Sequence, residues 1–263
     1  MRKLQYNSDS ITVFENQAVL KFKNFGDENL VNLFTLKPYN FNKKFISRDN
    51  LDRQYEKLRK LIGFDIRFKN PIQTHTNNVK ILTEDNFDYD FMDVDGLITN
   101  MKGVGLVTSS ADCQSVIFYD KENKVIANVH SGWKGTLNKI VENTIELLTK
   151  TFQTNPSNLE IGIFPSISRD SFEVDEDVKD MFLNSFDDID DFIDIGDIKD
   201  DKQKYYIDTV GINVKMLVEA GVKRKNIHLS GIDSLKNKDI IHSHRGCGKD
   251  SGRNIAIIAV KNW

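Results

Sequence analysis

The spacing of hydrophobic positions changes several times along this chain, and each change marks an element. Ile11-Thr12-Val13-Phe14 and Ala18-Val19-Leu20-Lys21-Phe22 read as a short hairpin around Glu15-Asn16-Gln17, with a further strand near Leu30 to Leu36. From Asp49 to Leu61 the pattern becomes helical: Leu51, Tyr55, Leu58 and Leu61 share one face, and Gly63 supplies the stop. Three central runs, Gly105 to Thr108, Ser115 to Tyr119 and Lys124 to Val129, read as strands. Asp120-Lys121-Glu122-Asn123 is a tight connection, so the last two runs are expected to pair as a hairpin. The clearest predicted helix is Thr136 to Thr151, with Leu137, Ile140, Val141, Ile145 and Leu148 on one side and backbone N–H groups free at its start. Further on, the pattern predicts a strand at Leu159 to Ile163 and helices at Asp175 to Phe186 and Asp208 to Ala220, the second ended by Gly221. Strands at Ile227 to Leu229 and Asn254 to Val260 complete it. The connections are short, without linker or repeat, so one domain is expected over residues 1–263.

Composition narrows the function. The charge is near balance, 36 basic against 39 acidic residues, which leaves no global positive field for a nucleic-acid backbone. No apolar run approaches the roughly 18 residues that cross a bilayer, so no membrane partner is expected. The two cysteines, Cys113 and Cys247, lie in unlike surroundings and no secretory leader pattern precedes them, which predicts a cytoplasmic protein without a disulfide frame. Residues Asp187 to Asp201 are rich in aspartate but lack calcium-loop spacing; a solvated acidic loop or edge is the reading.

Candidate chemistry centres on His75, Cys113 in Ser110-Ala111-Asp112-Cys113, and His130 in His130-Ser131-Gly132-Trp133-Lys134-Gly135. Two imidazoles and one thiolate suit a borderline-soft divalent ion such as zinc, and three protein ligands leave a fourth position open, as in catalytic sites. Taken singly, each has a blander reading: a histidine after a strand is commonly a satisfied polar residue, and a lone cysteine a small buried hydrophobe. The stretch Ser243-His244-Arg245-Gly246-Cys247-Gly248-Lys249-Asp250-Ser251-Gly252-Arg253 combines three glycines with Arg245 and Arg253, donors suited to phosphate, though it lacks the P-loop order. Cys247 reads as an exposed bystander.

These segments, with Gln73-Thr74-His75, Asp95-Gly96-Leu97-Ile98-Thr99, and Ile207-Asp208 followed by Asn213, occur in an order that resembles the YfiH/laccase-domain family over about residues 70 to 260. That family is named both for multicopper polyphenol oxidoreductases and for purine nucleoside phosphorylases with adenosine deaminase activity. The resemblance implies an α+β domain of αββα type, with mixed sheets packed on each other and helices outside. It also implies that His75, Cys113 and His130 bind zinc. The chain departs from the family pattern at Lys134, where arginine is common, and at Phe164-Pro165-Ser166-Ile167, Ser171 and Ile232-Asp233. Lys134 keeps the charge but not the planar fork.

The function implied is a zinc-dependent purine nucleoside phosphorylase and adenosine deaminase acting on adenosine, inosine and methylthioadenosine, with purine nucleoside and phosphate as its partners. Lys134, Arg245 and Arg253 would hold phosphate, and Asp112, expected on an extended segment facing away from Cys113, would support the site. Three alternatives stay open at this stage. One is a metal-free cysteine hydrolase using Cys113 and His130. Another is laccase-like copper chemistry, for which five histidines, His75, His130, His228, His242 and His244, are few. The third is an enzyme editing cell-wall precursors. Oligomeric state is left open.

Overall fold

The computed structural model describes residues 10–262; the first nine residues, on which the expectation of no secretory leader falls, and Trp263 lie outside the described part. In chain order the strands and helices are β1 (Ile11–Phe14), β2 (Val19–Phe22), β3 (Leu30–Thr35), α1 (Arg48–Ile62), β4 (Arg67–Lys69), β5 (Val79–Ile81), β6 (Gly96–Thr99), β7 (Val104–Ser110), β8 (Gln114–Asp120) and β9 (Val125–Ser131). The second half holds α2 (Trp133–Leu137), α3 (Ile140–Phe152), β10 (Glu160–Ile163), β11 (Glu173–Val174), α4 (Glu176–Ser185), β12 (Ile193–Lys199), β13 (Lys202–Ile207), α5 (Thr209–Glu219), β14 (Ile227–Leu229), α6 (His244–Cys247) and β15 (Asn254–Val260).

Two six-stranded mixed sheets, ordered β1-β2-β3-β15-β7-β4 and β14-β10-β8-β9-β6-β5, pack face to face, and a small sheet β11-β13-β12 stands beside them. Side-chain alternation explains the layering. On β15, Ala256 and Ile258 point inward with Leu20, Phe34 and Leu106, where they meet Leu97, Ile117 and Ile126 of the other sheet. Ile255 and Ile257 point outward with Leu33 and Val107, and α1 covers them through Leu58. On β8, Val116 and Phe118 face the opposite way and are covered by α3 and α5 through Ile145, Leu148, Ile212 and Met216. Both faces of the central strands are therefore buried, which is why β8, β9 and β15 read as nearly continuous apolar runs. Among the described residues no helix is long and apolar enough to cross a membrane.

Most predicted elements form within a few residues of the expected bounds. The β1–β2 hairpin closes with Phe14 opposite Val19, and β8 pairs with β9, Ser115 opposite His130. Helix α1 begins at an Ser47 cap, whose side chain accepts from Asn50, and stops at Gly63 with φ 81°. The helix expected over Thr136 to Thr151 is two helices: Lys139 adopts a left-handed conformation, φ 60°, and the Asn138 amide bonds back to the Lys134 carbonyl. Leu137, Ile140 and Val141 all pack on the same core across the break, which is what made it read as one helix. The acidic tract is an edge, since β12 lies at the border of the small sheet.

Candidate metal centre and cleft

Two of the three candidate ligands sit where the chain passes from one large sheet to the other. His75 lies between β4 of the first sheet and β5 of the second, and Cys113 lies in the crossing from β7 to β8; His130 is near the C-terminal end of β9. Topology brings them together: their ligand atoms all lie within 4.8 Å of one another, with His75 Nε2 3.8 Å from Cys113 Sγ. Tetrahedral zinc bonds of about 2.0–2.3 Å separate ligand atoms by roughly 3.3–3.8 Å, so only a small closure would be needed. His130 is buried, Cys113 half-buried and His75 exposed, so the trio opens on one side.

Asp95, fully buried immediately before β6, fixes this arrangement. Its Oδ1 accepts from His130 Nδ1 at 2.8 Å and from the His75 backbone N–H at 3.1 Å, and its Oδ2 accepts from the N–H and hydroxyl of Thr76 at 2.7 and 2.8 Å. With Nδ1–H committed to the carboxylate, His130 offers Nε2 as a ligand. The same carboxylate holds His75 at φ 66°, a left-handed conformation uncommon outside glycine. Burial alone would raise the Asp95 pKa, but the hydrogen bonds from His130 and Thr76 outweigh it and hold the carboxyl at about 2. Burial also works against charge on Cys113 and His130. Their mutual attraction and hydrogen bond, aided by His75 and Asp95, bring the thiol down to about 6 and the imidazole up to about 9.

The donor set fits a divalent metal on the observations above, and Gly132 adds one more. A Cβ there would stand 2.8 Å from His75 Cδ2 and 3.1 Å from Cys113 Sγ, so the backbone is kept bare beside the ligands. Of the other histidines, His228 packs edge-on against Phe25 and His242 bonds the Tyr39 carbonyl, so neither joins the trio.

Two of the candidate ligands, His75 and Cys113, line a cleft of about 250 Å³ together with Gln114, Ser131, Trp133, Phe172, Thr209, His244 and Arg245. Arg245 belongs to α6, and its guanidinium stands 5.8 Å from the Phe172 ring centroid while donating to the Glu173 carbonyl at 3.0 Å. Lys134 is exposed beside the cleft-lining Trp133, 5.4 Å from its ring centroid, and does not itself line the cleft. Arg253 is placed apart from them: its Nη1 donates to the carbonyls of Ser251 and Gly252, and it does not line the cleft. Asp112 departs from the extended conformation expected, with φ 87°. This turns its carboxylate toward Ser234, which donates at 2.6 Å, and toward the Arg245 backbone N–H, also at 2.6 Å. Asp112 thus ties the Cys113 loop to α6. Sequence reasoning left Asp95, Gln114, Thr209 and His244 out of the site. For Asp95 the available signal was an aspartate set directly before the apolar Gly96-Leu97-Ile98 run.

Comparison with known proteins agrees with this architecture. A crystal structure of the YfiH protein of Bacillus licheniformis superimposes with a TM-score of 0.83 at 22% identity, covering 94% of this chain and 98% of the other. A purine nucleoside phosphorylase of Bacteroides thetaiotaomicron is 33% identical over 198 residues, 72% of each chain. The adenosine deaminase RL5 from an unknown prokaryotic organism is 28% identical over 191 residues, 70% of this chain and 71% of its own. The family model described as multi-copper polyphenol oxidoreductase laccase matches residues 39–261, so the chain belongs to that family, and its fold is that of the YfiH structure.

Proposed function

We propose that the chain is a metal-dependent purine nucleoside phosphorylase that also deaminates adenosine, with one divalent ion, zinc before copper, held by His75, Cys113 and His130. The observation that carries this reading is the convergence of the three ligand atoms within 4.8 Å at the wall of an aromatic and polar cleft. The relatives' names supply the substrate class. When bound, the ion supplies a Lewis acid that polarises a substrate oxygen or acidifies a water. The remaining work falls to the chain's own residues. Trp133 and Phe172 offer ring faces for a purine, and Arg245 and Lys134 place positive charge where phosphate must be held against the sugar. Asp112 acts as a positioning residue through the Arg245 backbone. Arg253 would have to leave two carbonyls to reach the anion, so its share is shaping the loop.

The test is metal analysis of the purified protein beside a product scan. About one zinc per chain is expected, and Cys113→Ala should remove both metal and activity. Release of hypoxanthine from inosine should require phosphate, whereas conversion of adenosine to inosine should not. Hypoxanthine appearing equally fast without phosphate would rule out phosphorolysis.

One observation favours a second reading. Cys113, His130 and Asp95 stand in the order nucleophile, base and orienting carboxylate, with Asp95 on His130 Nδ1 at 2.8 Å. Full turnover after exhaustive chelation, abolished by iodoacetamide, would select this cysteine hydrolase.

A further inference from the structure

One wall of the cleft is polar and buried, and its hydrogen bonds run in a single direction. Gln114 opens β8 and is 2% exposed, Thr209 opens α5 and is 6% exposed, and Asn213 lies one helical turn farther on, fully buried. The Asn213 amide donates to Gln114 Oε1 at 2.9 Å and to the hydroxyls of Ser131 and Thr136, each at 3.2 Å. With its oxygen so committed, Gln114 turns its Nε2 to Thr209 Oγ1 at 3.1 Å. Reversing both amides would bury two partnerless N–H groups on Asn213 in place of the single carbonyl oxygen that is now unpaired. Orphaned N–H groups are the rarer defect in proteins, so the direction stands.

The consequence lies in the protons left over. Thr209 Oγ1 accepts from Gln114, so its own O–H points elsewhere, and the second N–H of Gln114 is likewise uncommitted. Among the described residues neither meets a protein acceptor, and both side chains line the cleft. The wall therefore presents two neighbouring donors, 3.1 Å apart, to whatever enters. A 6-oxopurine carries two neighbouring acceptors, O6 and N7, on one edge; a 6-aminopurine carries N7 beside an N–H₂ donor. Two donors match the first edge and oppose the second.

We propose that Gln114 and Thr209 read the O6/N7 edge of the base and select 6-oxopurine nucleosides such as inosine over adenosine, an inference that rests on the nucleoside reading above. The test compares initial-rate kcat/KM for phosphate-dependent consumption of inosine and of adenosine by the metal-loaded enzyme. The variants are Thr209→Val, which keeps the shape and loses the donor, Thr209→Ser, which restores it, and Gln114→Met. The wild type is expected to favour inosine by roughly ten-fold, the worth of one or two net hydrogen bonds. Thr209→Val should bring the ratio near one, mainly through loss on inosine, and Thr209→Ser should recover it. Gln114→Met removes a donor while the Asn213 amide keeps the Ser131 and Thr136 hydroxyls as acceptors, and gives the same readout should Thr209→Val not fold. A wild type that favours adenosine, or a ratio unmoved in Thr209→Val and Gln114→Met at full metal content, overturns the proposal while leaving nucleoside turnover in place. If neither nucleoside is consumed, the nucleoside reading falls, and the selectivity proposal with it.

Discussion

Asp95 and Gly132 show how much of a candidate ligand set is shaped by residues that donate nothing to it. One carboxylate orients His130 through Nδ1 and holds the left-handed backbone of His75, so two candidate ligands share a single support. An asparagine can accept at only one end: with its oxygen on His130 and His75 its N–H₂ faces the Thr76 N–H that donated to Oδ2, and turned the other way it faces both histidine donors. Asp95→Asn is therefore expected to weaken zinc binding by roughly ten- to a hundred-fold, measured by competition with a chromophoric chelator. Unchanged affinity would show that the histidines are held by other means. Gly132 acts by absence. Its φ of −72° suits any residue, so Gly132→Ala should leave the metal-free fold intact, but the added methyl would lie 2.8 Å from His75 Cδ2. Lowered metal content at an unchanged apo melting temperature is the expected result.

At the level of elements, legibility followed apolar patterning more than length: the three-residue β14 is expected from the sequence, whereas the charged, half-exposed β12 and β13, seven and six residues long, do not read as strands. The runs that became β8, β9 and β15 and the stripe of α1 are long enough to declare their period, and the sequence predicts each of them. The strands β4 and β5, of three residues each, and the two-residue β11 carry no period of their own and exist through pairing with distant partners. The candidate site divides in the same way. His75, Cys113 and His130 stand out by residue type. The turning of Asp112 toward α6 depends on a left-handed φ that nothing in Ala111-Asp112-Cys113 announces. That turn has a measurable effect. Asp112 bonds the Arg245 backbone while Arg245 faces the cleft, so Arg245→Ala should raise the phosphate KM by about ten- to a hundred-fold, the worth of a charge-assisted contact. Asp112→Ala should raise it less, because the charge remains and only its support is lost. Zinc content should hold in both. An unchanged phosphate KM in Arg245→Ala would remove α6 from the anion site.

For the whole molecule, the candidate ligand set bridges the two-sheet sandwich at its crossovers. The β4–β5 connection carries His75 and the β7–β8 connection carries Cys113, and each runs from the first sheet to the second; His130 belongs to the second sheet itself. A bound ion would therefore tie together segments whose separation accompanies parting of the sheets, so metal affinity should appear as global stability. Binding to the folded chain alone stabilises by RT ln(1 + [L]/Kd), about 4 kcal/mol when free zinc is a thousand-fold above Kd. In a chain of this size 1 kcal/mol corresponds to a shift of about 2–4 °C, so zinc should raise the melting temperature by roughly 10 °C, with chelation reversing it. Cys113→Ser should abolish most of that zinc-dependent shift, while Cys247→Ser, which alters the exposed free cysteine on α6 outside the ligand trio, should retain it in full. Scanning calorimetry with and without zinc on the three proteins decides the matter: a shift that persists in Cys113→Ser would mean that the stabilising ion binds somewhere other than the crossovers.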